Sequence, residues 1–255
     1  MRKLFLFLML ILGLHLNAQV FLMDTPFEEE SQIFDEINSL MDNELYMSAI
    51  KKIEKLKQNK QLSHGGYYML MYNYLKTGDL AKIISTYNDW EKHASLLNNQ
   101  LEAKSSIQQI YSLNAYALEN TGQYQESILS YEKSIGLDKD DKNNAAICYR
   151  SISKNYEKLE LFAQAKTYID KSINIYLTLL NIEIDDIAKI SSNLHDDFIF
   201  NGLLLSILQK GLLLVRQQSY TESLYYLALA ASCGEETALS YFRELDLDFH
   251  KYLKK

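Results

Sequence analysis

The chain has 255 residues and a formal charge of −7, from 26 Lys and Arg against 33 Asp and Glu. This acidic balance argues against nucleic acid or an anionic membrane surface as a partner, because both repel carboxylates. One proline and nine glycines leave few helix breakers, so the composition alone predicts an all-α protein.

The first predicted element is a short apolar segment at the N-terminus. Arg2 and Lys3 precede the apolar run 4–16, and Asn17-Ala18 offers a cleavage step. This pattern predicts a secretory signal peptide over residues 1–18, and therefore a mature chain in the periplasm or outside the cell. The run is shorter than the roughly 20 residues of a spanning helix, so an uncleaved anchor is the weaker alternative. We expect no membrane span after cleavage.

Residues 19–29 form an acidic lead-in, and helix pairs are expected over residues 30–255. Apolar residues at helical spacing mark each pair. The predicted pairs are, in chain order, 30–41 with 46–58, around 67–74 with around 83–90, around 107–118 with around 124–135, 145–158 with 162–180, and 196–217 with 220–232. A short extra helix is expected within 185–193, and a final helix over 235–253 closes the chain.

A short pattern recurs five times, at the turn inside each pair. Each copy has a tight-turn or polar residue, then an aromatic residue or Leu two positions on, then usually a small residue three further. The copies are Glu44–Ala49, Gly78–Ile83, Gly122–Ser127, Glu160–Ala165 and Gln218–Ser223. Self-similarity near a period of about 34 residues is typical of stacked helix-turn-helix units, which bury their apolar faces only by stacking.

The third and fourth pairs resemble tetratricopeptide repeats. The residues that carry the resemblance are Tyr111, Ala115, Leu118, Gly122, Tyr124, Ser127, Tyr131 and Ser134, then Tyr149, Ser153, Tyr156, Phe162, Ala165, Ile169 and Ser172. The stretch 219–238 is more similar to the related Sel1-type repeat. The chain departs from the family pattern because no repeat ends in the usual proline and several lack the turn glycine. The resemblance implies a right-handed α-solenoid of about five helix pairs with a C-terminal capping helix.

The resemblance also implies a partner-binding groove, since the first helix of every pair lines the concave face of such solenoids. Inward residues recur there at four-residue steps. The predicted groove residues are Phe34, Asn38, Tyr68, Tyr72, Ser112, Tyr116, Arg150, Lys154 and Lys158. Their order passes from aromatic and polar groups to a basic stripe, which suits a protein or peptide with an acidic segment or a C-terminal carboxylate. A solvated face whose cations pair with neighbouring carboxylates is the alternative.

The fifth pair departs from this order. Its corresponding face is apolar and carries Leu205, Leu208, Leu212 and Val215. We expect the extra segment within 185–193 to cover this face and to close the solenoid at its C-terminal end.

No motif points to catalysis, a metal or a cofactor. Ser-x-x-Lys occurs three times without the companion motifs of a penicillin-binding enzyme. The run 138–141 is similar to the start of a calcium loop, but Asn143 and Tyr149 stand where the loop needs Gly and Glu. His195 has no second imidazole at ligand spacing, and a helix start at Asp196 or Asp197 is the ordinary explanation.

The sequence leaves alternatives open for the two cysteines and for the function. Cys148 and Cys233 could form a disulfide in an oxidising compartment or remain two buried thiols. The leading functional hypothesis is a non-enzymatic exported scaffold of undetermined oligomeric state. A self-assembling envelope protein is the first rival, and a hydrolase that uses scattered acids with His195 is the second.

Overall fold

A computed structural model describes residues 28–59, 62–94, 97, 103–189 and 197–253. The predicted signal peptide, most of the lead-in, His195 and Asp196 lie outside these residues. Within them the chain forms eleven α-helices and two 3₁₀-helices and no strand. The α-helices are α1 Glu28–Asp42, α2 Tyr46–Asn59, α3 His64–Thr77, α4 Leu80–His93, α5 Lys104–Asn120, α6 Tyr124–Leu137, α7 Lys142–Lys158, α8 Phe162–Leu180, α9 Phe198–Arg216, α10 Tyr220–Ser232 and α11 Glu236–Glu244. The all-α prediction and the five pairs are confirmed.

The C-terminal prediction needs correction, because residues 235–253 are not one helix. Helix α11 ends at Glu244, and Asp246 takes a left-handed conformation with φ of 52°. The Leu247 amide then donates to the Phe242 carbonyl at 2.9 Å, which closes the helix end. A short 3₁₀-helix, Phe249–Tyr252, follows.

The first residue of the recurring pattern has the same backbone conformation in all five copies. It lies in the left-handed region at Glu44, Gly78, Gly122, Glu160 and Gln218, with φ between 57° and 82°. In the fourth pair the Leu161 amide donates to the Tyr156 carbonyl at 2.8 Å, and the Glu160 amide donates to the Glu157 carbonyl at 3.1 Å. These two bonds form a Schellman cap, so the pattern marks where each first helix ends.

The last residue of the pattern lies where the two helices of a pair cross. Ala49, Ile83, Ser127, Ala165 and Ser223 are all buried. In three pairs a serine hydroxyl bonds a carbonyl across the crossing, always between residues twelve apart. The bonds are Ser127 Oγ to the Ala115 carbonyl at 2.7 Å, Ser153 Oγ to the Ala165 carbonyl at 2.8 Å and Ser223 Oγ to the Gly211 carbonyl at 3.0 Å. Small residues thus let the backbones approach closely enough for hydrogen bonding.

The contacts divide the described residues into two compact units, 28–139 and 140–253. Helices α1–α6 belong to the first unit and α7–α11 to the second. The single solenoid domain expected over 30–255 stays a prediction. The second unit has its own apolar core, in which Tyr176, Phe200 and Phe242 are among the largest buried side chains. In the first unit Phe34, Tyr67 and Trp90 have this role.

Helix α9 is the single described helix long and apolar enough to cross a membrane, with 19 residues and a mean hydropathy of 1.8. More than half of it, 56%, is buried inside the protein. Its Gln209 amide donates to the Arg150 carbonyl of α7 at 3.2 Å. Helix α9 is therefore a packed core helix of the second unit in this structure.

The two cysteines are buried and no disulfide joins them. Each thiol lies close to an oxygen acceptor of a different residue. Cys148 Sγ is 3.6 Å from Asn144 Oδ1, and Cys233 Sγ is 3.7 Å from the Ile187 carbonyl. Of the disulfide and the two buried thiols considered from the sequence, the structure contains the buried thiols.

Candidate functional site

The nine predicted groove residues all lie on the first helices of repeats. Helices α1, α3 and α5 carry six of them in the first unit, and α7 carries the other three in the second unit. The predicted groove residues are therefore divided between the two compact units.

Three of the aromatic groove residues are buried in the first unit, which corrects their assignment. Phe34, Tyr68 and Tyr116 are 2%, 6% and 8% exposed. A Cβ added at Gly66 would lie 3.3 Å from Phe34 Cζ, so the Phe34 ring packs on the first turn of α3. Burial, helped by the nearby charge of Glu119, raises the pKa of Tyr116 to about 12. These rings form core and do not line a groove.

The other three residues of the first unit keep partial access to solvent. Asn38, Tyr72 and Ser112 are half-buried. The Ser112 hydroxyl is 2.9 Å from Ser134 Oγ, which ties α5 to α6. The Tyr72 ring lies 6.1 Å from that of Tyr68, with the Lys76 ammonium 5.1 Å from the Tyr72 centroid. Tyr72 therefore belongs to an aromatic and cationic cluster at the edge of the core.

In the second unit the three residues of the basic stripe on α7 differ in how far they are buried. Arg150 is 7% exposed, Lys154 is half-buried and Lys158 is exposed. Arg150 is thus part of the packed interior, whereas Lys154 and Lys158 reach solvent.

Helix α9 packs beside α7 and fixes the surroundings of this stripe. Gln209 Nε2 donates to the Arg150 carbonyl, and Arg216 Nε is 3.0 Å from Glu157 Oε1. Both contacts join residues 59 apart in the chain, so the two helices run parallel and in register.

The apolar face of α9 is buried in part. Leu208 is 9% exposed, Leu205 and Val215 are half-buried, and Leu212 is 36% exposed. The described part of the extra segment, the 3₁₀-helix Ile184–Lys189, packs on α10, and its predicted cover of the α9 face stays a prediction. There the Tyr225 hydroxyl donates to Asp185, while residues 190–196 lie outside the described chain.

Two buried titratable residues were not singled out from the sequence. Lys210, on α9, has its ammonium 2.6 Å from Asp170 Oδ1 and 2.7 Å from the Tyr226 hydroxyl. Burial alone lowers the pKa of Lys210, but the hydrogen bonds to Asp170 and Tyr226 raise it, and the net shift is upward. The sequence feature that could have indicated a buried charge at Lys210 is its position inside the apolar run 203–215.

His64 is the second of these residues. Its Nδ1 accepts a hydrogen bond from Trp90 Nε1 at 2.9 Å, so the neutral imidazole carries its proton on Nε2. Among the described residues Nε2 has no hydrogen-bond partner. Burial lowers the pKa of His64 to about 4.

The acidic motifs considered as metal sites are helix caps where the structure describes them. Asp141 Oδ1 accepts from the Asn144 amide at 3.0 Å at the start of α7. Asp197 Oδ1 accepts from the Ile199 and Phe200 amides at the start of α9. Across the described ranges no group of three His, Cys, Asp or Glu side chains could hold a metal ion.

Comparisons with known proteins show similarity at the level of structure. No family model and no curated protein matches the sequence. A Podosopora anserina protein described as a kinesin light chain with nearly identical TPR-like repeats is 14% identical, with a TM-score of 0.54 over 80% of this chain and 93% of that one. BtubC (BKLC) from P. vanneervenii is 15% identical over 82% and 91%, with a TM-score of 0.44. The TPR2AB domains of yeast Sti1 in complex with pHSP90 are 16% identical over 86% and 83%, with a TM-score of 0.36.

The similarity to the P. anserina protein extends over most of both chains. It agrees with the five helix pairs and with the close helix crossings described above. The resemblance of 219–238 to a Sel1-type repeat stays a prediction. The chain has the fold of tetratricopeptide-like helical repeats.

Proposed function

We propose that this protein is a non-catalytic docking scaffold that binds a protein or peptide partner through accessible residues of its first helices. One observation carries the proposal: the residue six positions before each left-handed turn residue is equivalent in every pair, and its chemistry varies. These positions hold Asn38, Tyr72, Tyr116, Lys154 and Leu212. All except Tyr116 keep access to solvent. Repeat proteins recognise partners by presenting different side chains from equivalent positions.

We also propose that the chain is exported and acts in the periplasm or outside the cell. The basic residues, apolar run and cleavage step within 1–18 support this. The mass of the protein purified from its native source tests it. Export with cleavage predicts a mature chain that begins at Gln19, whereas a retained Met1 in a cytoplasmic fraction contradicts export.

Site-specific photo-crosslinking tests the docking function. A photoreactive amino acid replaces Tyr72, Lys154 or Lys158 in the natural host, one position at a time. Control positions are Lys51 on α2 and Leu129 on α6, which are exposed on second helices. Docking through first helices predicts adducts of a partner at the three test positions and none at the controls.

Two outcomes of this experiment contradict the proposal. Equal adducts at test and control positions mean that contact is unspecific. A ladder of adducts at multiples of the chain's own mass, with no other protein captured, assigns these faces to self-assembly.

A further inference from the structure

His64 and Trp90 form a buried hydrogen bond between the first turn of α3 and the last turn of α4. Trp90 Nε1 donates to His64 Nδ1 at 2.9 Å, and the two ring centroids are 5.9 Å apart. The two residues are 1% and 2% exposed. The Trp90 ring also lies 5.6 Å from that of Tyr87 and 5.5 Å from that of Tyr111 on α5. This bond therefore lies where α3, α4 and α5 meet.

A proton on His64 is incompatible with this bond. The imidazolium carries N–H groups on both ring nitrogens, so Nδ1 no longer accepts, and the N–H groups of His64 and Trp90 would face each other. The charge would also be buried, with no hydrogen-bond partner for Nε2 among the described residues. It would lie at the N-terminus of α3, where the helix dipole disfavours a cation. All three penalties disappear when His64 and Trp90 separate.

Two carboxylates of α4 lie near this bond, and both stay ionised in mild acid. Asp89 lies 2.5 Å from Lys57 Nζ of α2 and accepts from the Tyr67 hydroxyl at 3.2 Å. Burial raises the pKa of Asp89, but the hydrogen bonds to Lys57 and Tyr67 lower it, and the net shift is downward. Glu91 accepts from the Tyr87 hydroxyl at 2.7 Å, which lowers the pKa of Glu91. These contacts therefore persist at pH 5.

The other groups around the bond also leave it intact in mild acid. His93 Nδ1 of α4 is 3.7 Å from Asp89 Oδ1, so a proton on His93 strengthens an existing contact. Burial raises the pKa of Tyr111 of α5, and the Lys133 ammonium of α6 lies 5.5 Å from the Tyr111 centroid. Helix α1 contributes the apolar ring of Phe34. Among the described residues no charged side chain contributes to the low pKa of His64, because burial causes it.

The second unit has no equivalent bond within residues 140–189 and 197–253. His250 is the one histidine of these ranges, and it is exposed. The buried Lys210 has a raised pKa and stays protonated at pH 7.5 and at pH 5. The acid that protonates His64 therefore acts on the first unit. Repeat proteins open locally because each repeat contacts only its neighbours.

We infer that the His64–Trp90 bond is an acid-released lock: a proton on His64 opens the contact among α3, α4 and α5 while the second unit stays folded. Tyr72 lies on α3, about 12 Å along the helix from His64, and its ring is 6.1 Å from that of the buried Tyr68. The open form thus lacks the Tyr72 cluster. The inference goes beyond the docking function, and its test needs no partner.

Reporters already present in the protein test the lock, one set in each unit. Trp90 is the single tryptophan of the chain, and its emission moves to longer wavelength when the first unit opens. Cys148 and Cys233 are buried in the second unit, and their reaction with a dithiodipyridine reports its opening. The urea concentration is held just below the unfolding midpoint, and thiol rates are referred to a free thiol at the same pH.

The two pKa values of His64, about 4 when folded and about 6.5 when open, set the expected change. The opening constant read from Trp90 should rise about thirtyfold between pH 7.5 and 5. The thiol rate should stay within about twofold, because the second unit binds no further proton in its described core. An equal rise in both reporters, or an unchanged Trp90 reporter, overturns the inference.

Matched variants assign the proton to His64. His64→Gln and His64→Asn each offer Trp90 an amide oxygen and do not titrate, so the variant that is closed at pH 7.5 should open less than about twofold further at pH 5. His93→Gln and His195→Gln remove the other histidines near the lock or outside the described residues, and both should respond to acid as the parent does. A thirtyfold response in the His64 variants, or its loss in either control, contradicts the lock.

Discussion

Three of the five repeated turns carry a residue that is unsuited to its backbone. Glu44, Glu160 and Gln218 have φ of 57°, 60° and 59°, where a side chain meets the neighbouring carbonyl and costs about 1–2 kcal/mol. Gly78 and Gly122 occupy the equivalent place without that cost. The packing of each pair therefore imposes the turn even where the sequence lacks glycine.

Glu160→Gly should stabilise the protein. The change removes the strain at a left-handed residue, and the greater freedom of glycine in the unfolded chain offsets part of the gain. We expect a net increase of about 1 kcal/mol in the free energy of unfolding, measured by urea titration. Gly122→Ala is the matched control, since an added Cβ there meets nothing within 4 Å and its loss of about 1 kcal/mol reports backbone strain alone. A lower midpoint for Glu160→Gly would show that the carboxylate makes a contact worth more than the strain.

His64 should make the protein sensitive to mild acid. Its pKa is about 4 when folded and about 6.5 when unfolded, so below pH 6.5 the unfolded chain takes up a proton that the folded chain does not. The associated stability is present above pH 6.5 and is lost as the pH falls toward 4. We expect a loss of about 2 kcal/mol between pH 7.5 and 5, measured by urea titration.

His64→Gln provides the control for this pH dependence. Glutamine offers Trp90 Nε1 an acceptor and does not titrate. The variant should be less stable at pH 7.5 but should lose little further stability by pH 5. An equal loss in both proteins would place the titrating group elsewhere.

At the residue scale, the helical period predicts the position of a side chain better than its exposure. The four-residue step correctly put Phe34, Tyr68 and Tyr116 on first helices, but they are buried. Whether a ring on that face is covered depends on the size of side chains on neighbouring helices, which a single helical period does not contain. Lys154 and Lys158 of the same predicted groove keep access to solvent, because an ammonium resists burial, whereas Arg150 is 7% exposed.

At the scale of elements, the second unit depends on a close approach between α8 and α9. Gly202 of α9 faces the fully buried ring of Tyr176. A Cβ at residue 202 would lie 2.5 Å from Tyr176 Cζ, closer than atoms can pack. Because Gly202 has no side chain, α9 can approach α8 this closely.

Gly202→Ala should destabilise the protein by about 1–3 kcal/mol, because the fully buried ring of Tyr176 must shift within the core to admit the methyl group. The midpoint of thermal unfolding by circular dichroism measures the effect. Tyr176→Leu in the same chain should recover part of the loss, since the smaller side chain admits the methyl group. Additive losses in the double variant would show that the two residues are not in conflict.

The helix boundaries were largely predictable, since caps and apolar spacing are local properties. The pattern at Gly122 marks a helix end from sequence alone. The break at Asp246 was not predictable because Leu245–Leu247 contains neither Gly nor Pro. Helix α11 ends there because the Leu247 amide bonds the Phe242 carbonyl and the Phe242 ring packs in the core.

At the scale of the whole molecule, the chain consists of two units with separate cores. The core of the second unit draws on residues from Ala146 to Leu253. The repeat pattern continues through both units, so no local pattern predicts a division near residue 139.

A fragment of residues 140–255 should fold on its own. Its core already includes Tyr176, Phe200 and Phe242, and its polar core residue Lys210 has its partners within the fragment. We expect a helical circular dichroism spectrum and a cooperative thermal transition. A gradual transition, or a spectrum of an unfolded chain, would show that the first unit is needed for the fold of the second.

Lys210 also has a consequence for a chain that crosses a membrane before it folds. Helix α9 has the length and hydropathy of a stop-transfer segment, and an export channel can release such a segment sideways into lipid. A lysine in the middle of the segment opposes that release by about 2.5–3.5 kcal/mol. If the chain is exported as proposed, the ammonium that Asp170 and Tyr226 hold in the folded protein therefore also opposes insertion of α9 into lipid during translocation.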